Sequence, residues 1–492
     1  MRVAIVGAGF SGIGMGAALQ RAGDEYAIFE RADDLGGVWQ HNTYPGACCD
    51  VPSYVYSYSW AQRRDWSRPC SPQAEIKDYL REVATDQRVI GKIRFGAEVT
   101  EARWDPARLK WSLTIGDSDT DTYEADALVL GCGQLSRPSW PQIPGATEFA
   151  GHSFHSAQWD HEHDLTGERV AVIGTGASAI QFIPEIAAAA GQLDVYQRSP
   201  PYVLPRRNLP YPEPVRELLR RTPGVQRLRR YGMCGVMESL TCGFTRSPAV
   251  NAMGRTWSAG FMRLQLRGDR ELRRRVWPDY PFGCKRVLFS SRYLPTLRRD
   301  DVELVSDQID RITPRGVVTT DGTERPADTI IWGTGFTTTE FVAPMRVVGA
   351  GEIELQRSWR DGAEAHRGIS VAGYPNLFLL YGPNTNLGAG SIIVMLEAQI
   401  RYVSRALRLI GDGHALDVRP EAQRRYADDL QRRLRDSVWG GCQNWYRRDG
   451  DGRIVNNWPG FVAEYIRDVR RVNATDYTVL RADSRMSANS TR

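Results

Sequence analysis

Lysine is nearly absent from this chain. Only Lys77, Lys92, Lys110 and Lys285 occur in 492 residues, and arginine carries almost all of the positive charge. The net charge of +5 is small for this length, which argues against a nucleic-acid partner. Clusters such as Arg227, Arg229 and Arg230, or Arg273 to Arg275, alternate with acids and apolar residues. They read as solvated helix faces rather than as nucleic-acid or membrane patches. Paired-cysteine motifs are also missing: the eight cysteines form no CxxC, so structural zinc and thioredoxin-type chemistry are not expected. The neighbours Cys48 and Cys49 are poorly spaced for an ordinary bridge, and a reducing cytoplasm fits this usage best. No apolar run is long enough to span a bilayer, and no secretory leader precedes the first strand. A soluble cytoplasmic protein without a transmembrane segment is expected, as a monomer or weak homo-oligomer; a monotopic membrane contact stays open.

What is present starts at the N-terminus. Arg2-Val-Ala-Ile-Val-Gly7-Ala-Gly9-Phe-Ser-Gly12 reads as a buried strand, a glycine turn and then a helix over Ile13 to Arg21. This is the dinucleotide-binding pattern in its required context. Gly7 permits the tight turn, Gly9 lets a pyrophosphate approach the backbone, and Gly12 lets helix and strand pack closely, with the helix N-terminus facing the phosphates. A second strand, Tyr26 to Glu30, ends in the acid expected to bind a ribose hydroxyl. The pattern returns at Arg169-Val-Ala-Val-Ile-Gly174-Thr-Gly176-Ala-Ser-Ala179, with alanine in the third position.

The two copies differ at the end of the second strand. Where the first has Glu30, the second has Gln197, followed by Arg198 and Ser199. A carboxylate repels a 2′-phosphate, whereas an amide beside a guanidinium accepts one, so the second site is expected to prefer NADPH to NADH. A further repeat, Ala125-Asp-Ala-Leu-Val-Leu-Gly131-Cys-Gly133 and Ala327-Asp-Thr-Ile-Ile-Trp-Gly333-Thr-Gly335, reads as the strand that closes each nucleotide domain. The expected fold is therefore α/β with two Rossmann-like domains, the second inserted in the first. The predicted partition is 1–145 for the first part of the first nucleotide domain, 146–208 and 281–327 for the second, NADPH-preferring domain, 209–280 for a helical insertion, 328–480 for the rest of the first domain, and 481–492 for a flexible tail. A long helix is predicted over Ser391 to Ile410.

One stretch is specific enough to name a family. Phe149, Gly151, His155, Trp159 and Asp160 fit an F-x-G-x-x-x-H-x-x-x-W-[P/D] frame just ahead of the second glycine motif, and this resembles the signature of Baeyer–Villiger monooxygenases. Sister monooxygenases that oxygenate sulfur or nitrogen share the Phe, Gly and His but usually end in another aromatic. Gly36-Gly37-Val-Trp39, Tyr44-Pro-Gly46 and Cys49-Asp50-Val-Pro-Ser53, with Tyr56 beyond, are similar to the family's flavin-side loop and active-site aspartate. Pro281-Phe-Gly-Cys-Lys285-Arg286 is similar to the loop with its NADP-binding lysine and catalytic arginine. Asn444-Trp445-Tyr446 resembles the mobile C-terminal loop that closes over the nicotinamide, although the Arg-Arg-Asp-Gly that follows departs from the family's usual Gly-Ala-Asn.

The resemblance implies a tightly bound FAD that NADPH reduces and O2 converts to a C4a-peroxide, which attacks a ketone to give an ester or lactone. It gives Arg286 the anionic intermediates, Asp50 the orientation of Arg286, and Lys285 with Arg198 the 2′-phosphate. Two other readings are weighed against it: a sister enzyme acting on sulfur or nitrogen, and a flavoprotein that binds nucleotides without turnover. A disulfide reductase lacks its CxxC or CxxxxC pair. His152, His155, His161 and His163 cluster without acids or cysteines at ligand spacing, so no metal is expected; His155 is either a core histidine or a joint between moving domains.

Overall fold

The computed structural model describes residues 1–117, 120–411 and 413–481. Two five-stranded parallel sheets organise it. In the first, Arg2–Val6 is central, with Glu25–Phe29 and Ile93–Arg94 on one side and Ala127–Leu130 and Leu377–Leu379 on the other. In the second, Arg169–Ile173 is central, with Gln192–Tyr196 and Val302–Val305 on one side and Thr329–Trp332 and His152–His155 on the other. The central strands are short, nearly continuous apolar runs because both sheet faces are covered, and such burial goes with all-parallel pairing. The α/β class with two dinucleotide folds is the one expected.

Boundaries moved where packing overrode local preference. The helix after the first glycine turn runs Phe10–Ala22 and starts three residues earlier than Ile13. Its glycines are poor helix formers, but a Cβ at Gly14 would stand 2.8 Å from Ile400 and 3.0 Å from Tyr58. The helix therefore needs glycine to pack on the long helix Ile392–Ile410, where the predicted first residue, Ser391, is the N-cap.

The expected return to the first unit at 328 needs correction. Thr329–Trp332 lies inside the second sheet, in parallel register with Val170–Ile173 on one side and His152–His155 on the other. The chain crosses back only after Trp332, because this apolar strand finds two ladder partners in the second sheet. The outward and returning connections then meet: Ser139 N donates to Gly335 O at 2.9 Å, and Thr337 N to Arg137 O at 3.0 Å.

A mixed and an antiparallel sheet extend the units. Val99–Asp105, Lys110–Ile115 and Thr122–Ala125 pair antiparallel in the first, with Arg346–Val348 added parallel to Val99–Asp105, and Ile309–Thr313, Gly316–Thr319 and Glu324–Pro326 form the antiparallel one. Four helices, Glu213–Arg221, Pro223–Thr245, Pro248–Gln265 and Arg270–Arg275, occupy the region read as an insertion. The tail expected over 481–492 lies, from Ala482 onward, outside the described residues.

Candidate active site

Each glycine turn opens on a glycine whose contacts leave no room for a side chain. Gly7 has φ +99°, and a Cβ there would lie 2.8 Å from the carbonyl oxygen of Gly131; a Cβ at Gly12 would lie 1.8 Å from the carbonyl oxygen of Gly7. Gly9 faces Gly37 across a narrow gap, with its virtual Cβ 3.4 Å from the Gly37 Cα. The helix Phe10–Ala22 begins without a side-chain cap or an acid in its first turn, so its N–H groups are free for an anion. Glu30 is buried and accepts from Ala8 N at 2.7 Å and Ala32 N at 3.0 Å. Each carboxylate oxygen keeps a lone pair for a ribose hydroxyl. Trp39 Nε1 donates to Tyr56 Oη at 3.3 Å beside this cradle. The backbone close to the turn and the unsatisfied helix start fit a dinucleotide pyrophosphate, and Glu30 fits its ribose.

The second cradle repeats the turn and changes its rim. Gly174 has φ +113°, and a Cβ there would lie 2.4 Å from the Gly333 carbonyl oxygen, whereas Gly176 has nothing nearer than 4.0 Å. Ala179 is fully buried at the third position, and a Cβ added at Gly333 would stand 3.3 Å from its Cβ. Gln197 is buried and turned inward, its amide donating to Arg275 O at 2.9 Å, so it is not the group that greets a ligand. That role falls to its neighbours: Arg198 is exposed, and Lys285 Nζ donates to Ser199 Oγ at 2.9 Å while lying 4.7 Å from the Tyr280 ring. Burial, and then the nearby Arg198, lower the Lys285 pKa. A doubly negative phosphate placed there meets two cations and a hydroxyl, so the rim fits a 2′-phosphate.

Between the cradles one ion pair joins the two units. Arg286 Nη2 donates to Asp50 Oδ2 at 2.6 Å, and Nη1 donates to Leu387 O at 3.2 Å. The two side chains are 25% and 29% exposed, enough to be reached by a small molecule. Burial would raise the Asp50 pKa, but Arg286 and Arg206 outweigh it and hold the carboxyl below its ordinary value. Asp50 raises the pKa of Arg286 in turn, with Tyr446 and Tyr381 adding to it. Both members are therefore ionised near neutral pH.

The loop after Leu434 carries a finding the motif did not give. Trp445 points outward at 40% exposure, and its carbonyl accepts from Thr338 Oγ1 at 3.0 Å. Its neighbour Tyr446 is fully buried on the Arg286 side, with its pKa pushed up to about 12 by that burial. A disulfide joins Cys284, next to Lys285, to Cys442 in this loop. The two cysteines are 158 residues apart, so no spacing rule could pair them. The other six cysteines are free.

The signature residues sit on the edge strand His152–His155 and on either side of it. A Cβ at Gly151 would lie 2.3 Å from the Asp328 carbonyl oxygen, because this edge pairs tightly with Thr329–Trp332. Phe149 packs on the cluster around Ile312, and Trp159 packs between Phe154, edge-on at 5.1 Å, and Phe182, tilted at 5.3 Å. Asp160 pairs with His152 Nε2 at 3.0 Å. His163 likewise meets Glu168 at 3.1 Å, so the fold supplies the acids that sequence spacing did not. No metal-holding group forms among the described residues. His155 is completely buried, 5.4 Å from Trp140 and 6.1 Å from Phe336. These two rings belong to the outward and returning connections, so His155 packs beneath the place where they meet. Its Nδ1 accepts from Ala157 N at 3.0 Å, and burial lowers its pKa to about 4.

Other residues of the site were not visible as motifs. Arg206 Nη1 reaches Cys49 O at 3.5 Å. A buried amide chain runs from Tyr381 Oη to Asn386 at 2.7 Å and from Asn386 to Asn457 at 2.8 Å. Asn456 links to Gln134 at 2.9 Å and to Thr338 O at 3.0 Å. The Gly382-Pro-Asn-Thr-Asn386 and Asn456-Asn457 runs were the only available hint.

Two nucleotide cradles with a charged pair between them define a flavin-binding monooxygenase, and the family model described as flavin-binding monooxygenase-like matches residues 1–222. A Baeyer–Villiger monooxygenase of Pseudomonas aeruginosa is 42% identical over 97% of this chain and 91% of that protein. One of Streptomyces coelicolor is 41% identical over 98% and 93%. Among solved structures, an oxidised steroid monooxygenase bound to NADP matches with a TM-score of 0.86 and 30% identity, covering 98% of this chain and 99% of that one. The chain belongs to the Baeyer–Villiger monooxygenase family, whose members are FAD-dependent enzymes.

Proposed function

We propose that the Asp50–Arg286 pair is the reacting centre of an NADPH- and O2-dependent oxidation in which one oxygen atom is inserted beside a ketone carbonyl. Ketone, O2, NADPH and a proton give ester or lactone, NADP+ and water. FAD bound at the first cradle and NADPH at the second supply oxygen activation and two electrons. The chain supplies binding, charge and shielding from water. The observation that carries this reading is the 2.6 Å contact from Arg286, which follows the Lys285 of the NADPH rim, to Asp50 beside the flavin-side loop.

Arg286 stays charged at any working pH, and its two recorded contacts leave further donors of the guanidinium fork for an oxyanion. Asp50 and the Leu387 carbonyl fix the plane of the fork, so little reorganisation is needed as negative charge develops. The buried phenol of Tyr446 and the partly buried one of Tyr381 shield that side from water. Lys285, Arg198 and Ser199 hold the 2′-phosphate, and Glu30 holds the FAD ribose. The deciding experiment is mass analysis of products from cyclic, linear and aromatic ketones with NADPH and oxygen, run beside a thioether. One oxygen atom added to a ketone carries the proposal; oxygen added only to the thioether moves the chain to the sister chemistry.

A further inference from the structure

The helices Glu213–Arg221, Pro223–Thr245 and Pro248–Gln265 expose apolar side chains on the faces turned away from the protein body. Ten of the seventeen large exposed hydrophobic residues among those described fall between Leu209 and Leu264. Single exposed apolar residues are ordinary; a concentration of them on adjoining helices marks an interaction surface. On Pro223–Thr245, Leu228 and Tyr231 are 74% and 73% exposed, while Gln226, Arg230 and Thr241 are buried on the opposite side. On Pro248–Gln265, Met253, Trp257 and Leu264 follow at spacings of four and seven, one helical stripe, and are 71%, 57% and 66% exposed. Ser258 and Met262 are buried on the other face. The two helices pack on each other, with Gly243 against Val250 and Asn251.

The same segment holds the chain's charge asymmetry. Leu209 to Arg275 contains fourteen arginines and five acids, a net +9, while the whole chain carries +5. The rest of the molecule is therefore net negative. We propose that this face docks on an anionic lipid bilayer, with Leu228, Tyr231, Met253, Trp257 and Leu264 entering the headgroup boundary and the arginines around them meeting lipid phosphates. A second copy is the poorer occupant, since it would bring two net-positive segments against each other. Nucleic acid would leave the apolar stripe against phosphates. The contact is interfacial, because no described helix is long and apolar enough to cross a membrane. It also revises the reading of the arginine clusters as solvated faces only.

The test is co-sedimentation of the FAD-loaded enzyme with vesicles of phosphatidylcholine alone and of phosphatidylcholine containing phosphatidylglycerol. Binding is expected to the anionic vesicles, and to fall by about tenfold or more when Leu228→Ser, Tyr231→Ser, Met253→Ser and Trp257→Ser are combined. It should also weaken at about 0.5 M salt. NADPH oxidation with a water-soluble ketone should not change, because these side chains touch neither Asp50 nor Lys285 nor Arg286. If the serine variant fails to retain FAD, Arg227→Glu with Arg267→Glu alters exposed side chains only and should abolish the preference for anionic vesicles. Equal sedimentation with both vesicle types, no sedimentation with either, or variants that sediment like the parent overturn the proposal. So does a dimer that the serine variant disrupts without any vesicle binding.

Discussion

The two glycine turns are nearly superimposable in their chemistry, yet they tolerate different residues and invite different ligands. In the first, the third glycine is compulsory, since a Cβ at Gly12 would lie 1.8 Å from the Gly7 carbonyl oxygen. In the second, Ala179 fills that place without conflict. At the rim, Glu30 spends its carboxylate on two backbone amides that shape the turn. Gln197 instead turns inward to Arg275 and leaves Arg198, Ser199 and Lys285 outside. A motif of identical spacing thus carries an acid at one rim and two cations with a hydroxyl at the other. Charge at the rim, and not the glycine pattern, separates them.

The sharpest way to break this comparison is Gly12→Ala. The added methyl group meets fixed backbone, so we expect protein purified without FAD or not folded, read from flavin absorbance; the reverse change in the second turn, Ala179→Gly, should cost only about 1 kcal/mol of stability. Next in size, Arg286→Ala is expected to lower oxygenation by about 100-fold or more while flavin content stays normal. Ester formation at the parent rate would remove Arg286 from the centre.

Lys285→Ala should shrink the ratio of kcat/KM for NADPH over NADH by roughly 10- to 100-fold, the loss of one charge-assisted contact. An unchanged ratio would leave the second rim without its distinguishing cation. The smallest effect concerns the joint. His155 has its folded pKa lowered to about 4 against an unfolded value near 6.5. Between these values the unfolded chain binds more protons, so stability is lost as pH falls from about 6.5 toward 4, by about 3 kcal/mol at most. Melting curves of the parent and His155→Asn across that window should converge toward the acid side, and parallel curves would show that His155 does not titrate there.

Much of the fold was legible because parallel strands buried on both faces must be apolar and must end in glycine turns. Arg2–Val6 and Arg169–Ile173 announced themselves in that way. The Ala327–Gly335 repeat marked a strand that closes the second domain, yet the boundary drawn at 328 cut that strand off, since an acid followed by an apolar run does not itself show where the chain crosses. Asp50, Lys285 and Arg286 were found through loops resembling those of known relatives. Arg206, Tyr446 and the Asn386–Asn457 amide contact carry no spacing signal and come together only through long-range packing.

By itself the sequence determined the two nucleotide folds, the different charge at their rims and the signature ahead of the second turn, because these depend on residues close in the chain. Tertiary structure decided what spans distance. It set Asp50 against Arg286, 236 residues away, and turned Tyr446 inward where Trp445 faces out. It also placed His155 beneath two connections that local pattern could not show to be neighbours. Charge and shape at the centre are shared between segments far apart in sequence, and no local preference encodes such a contact.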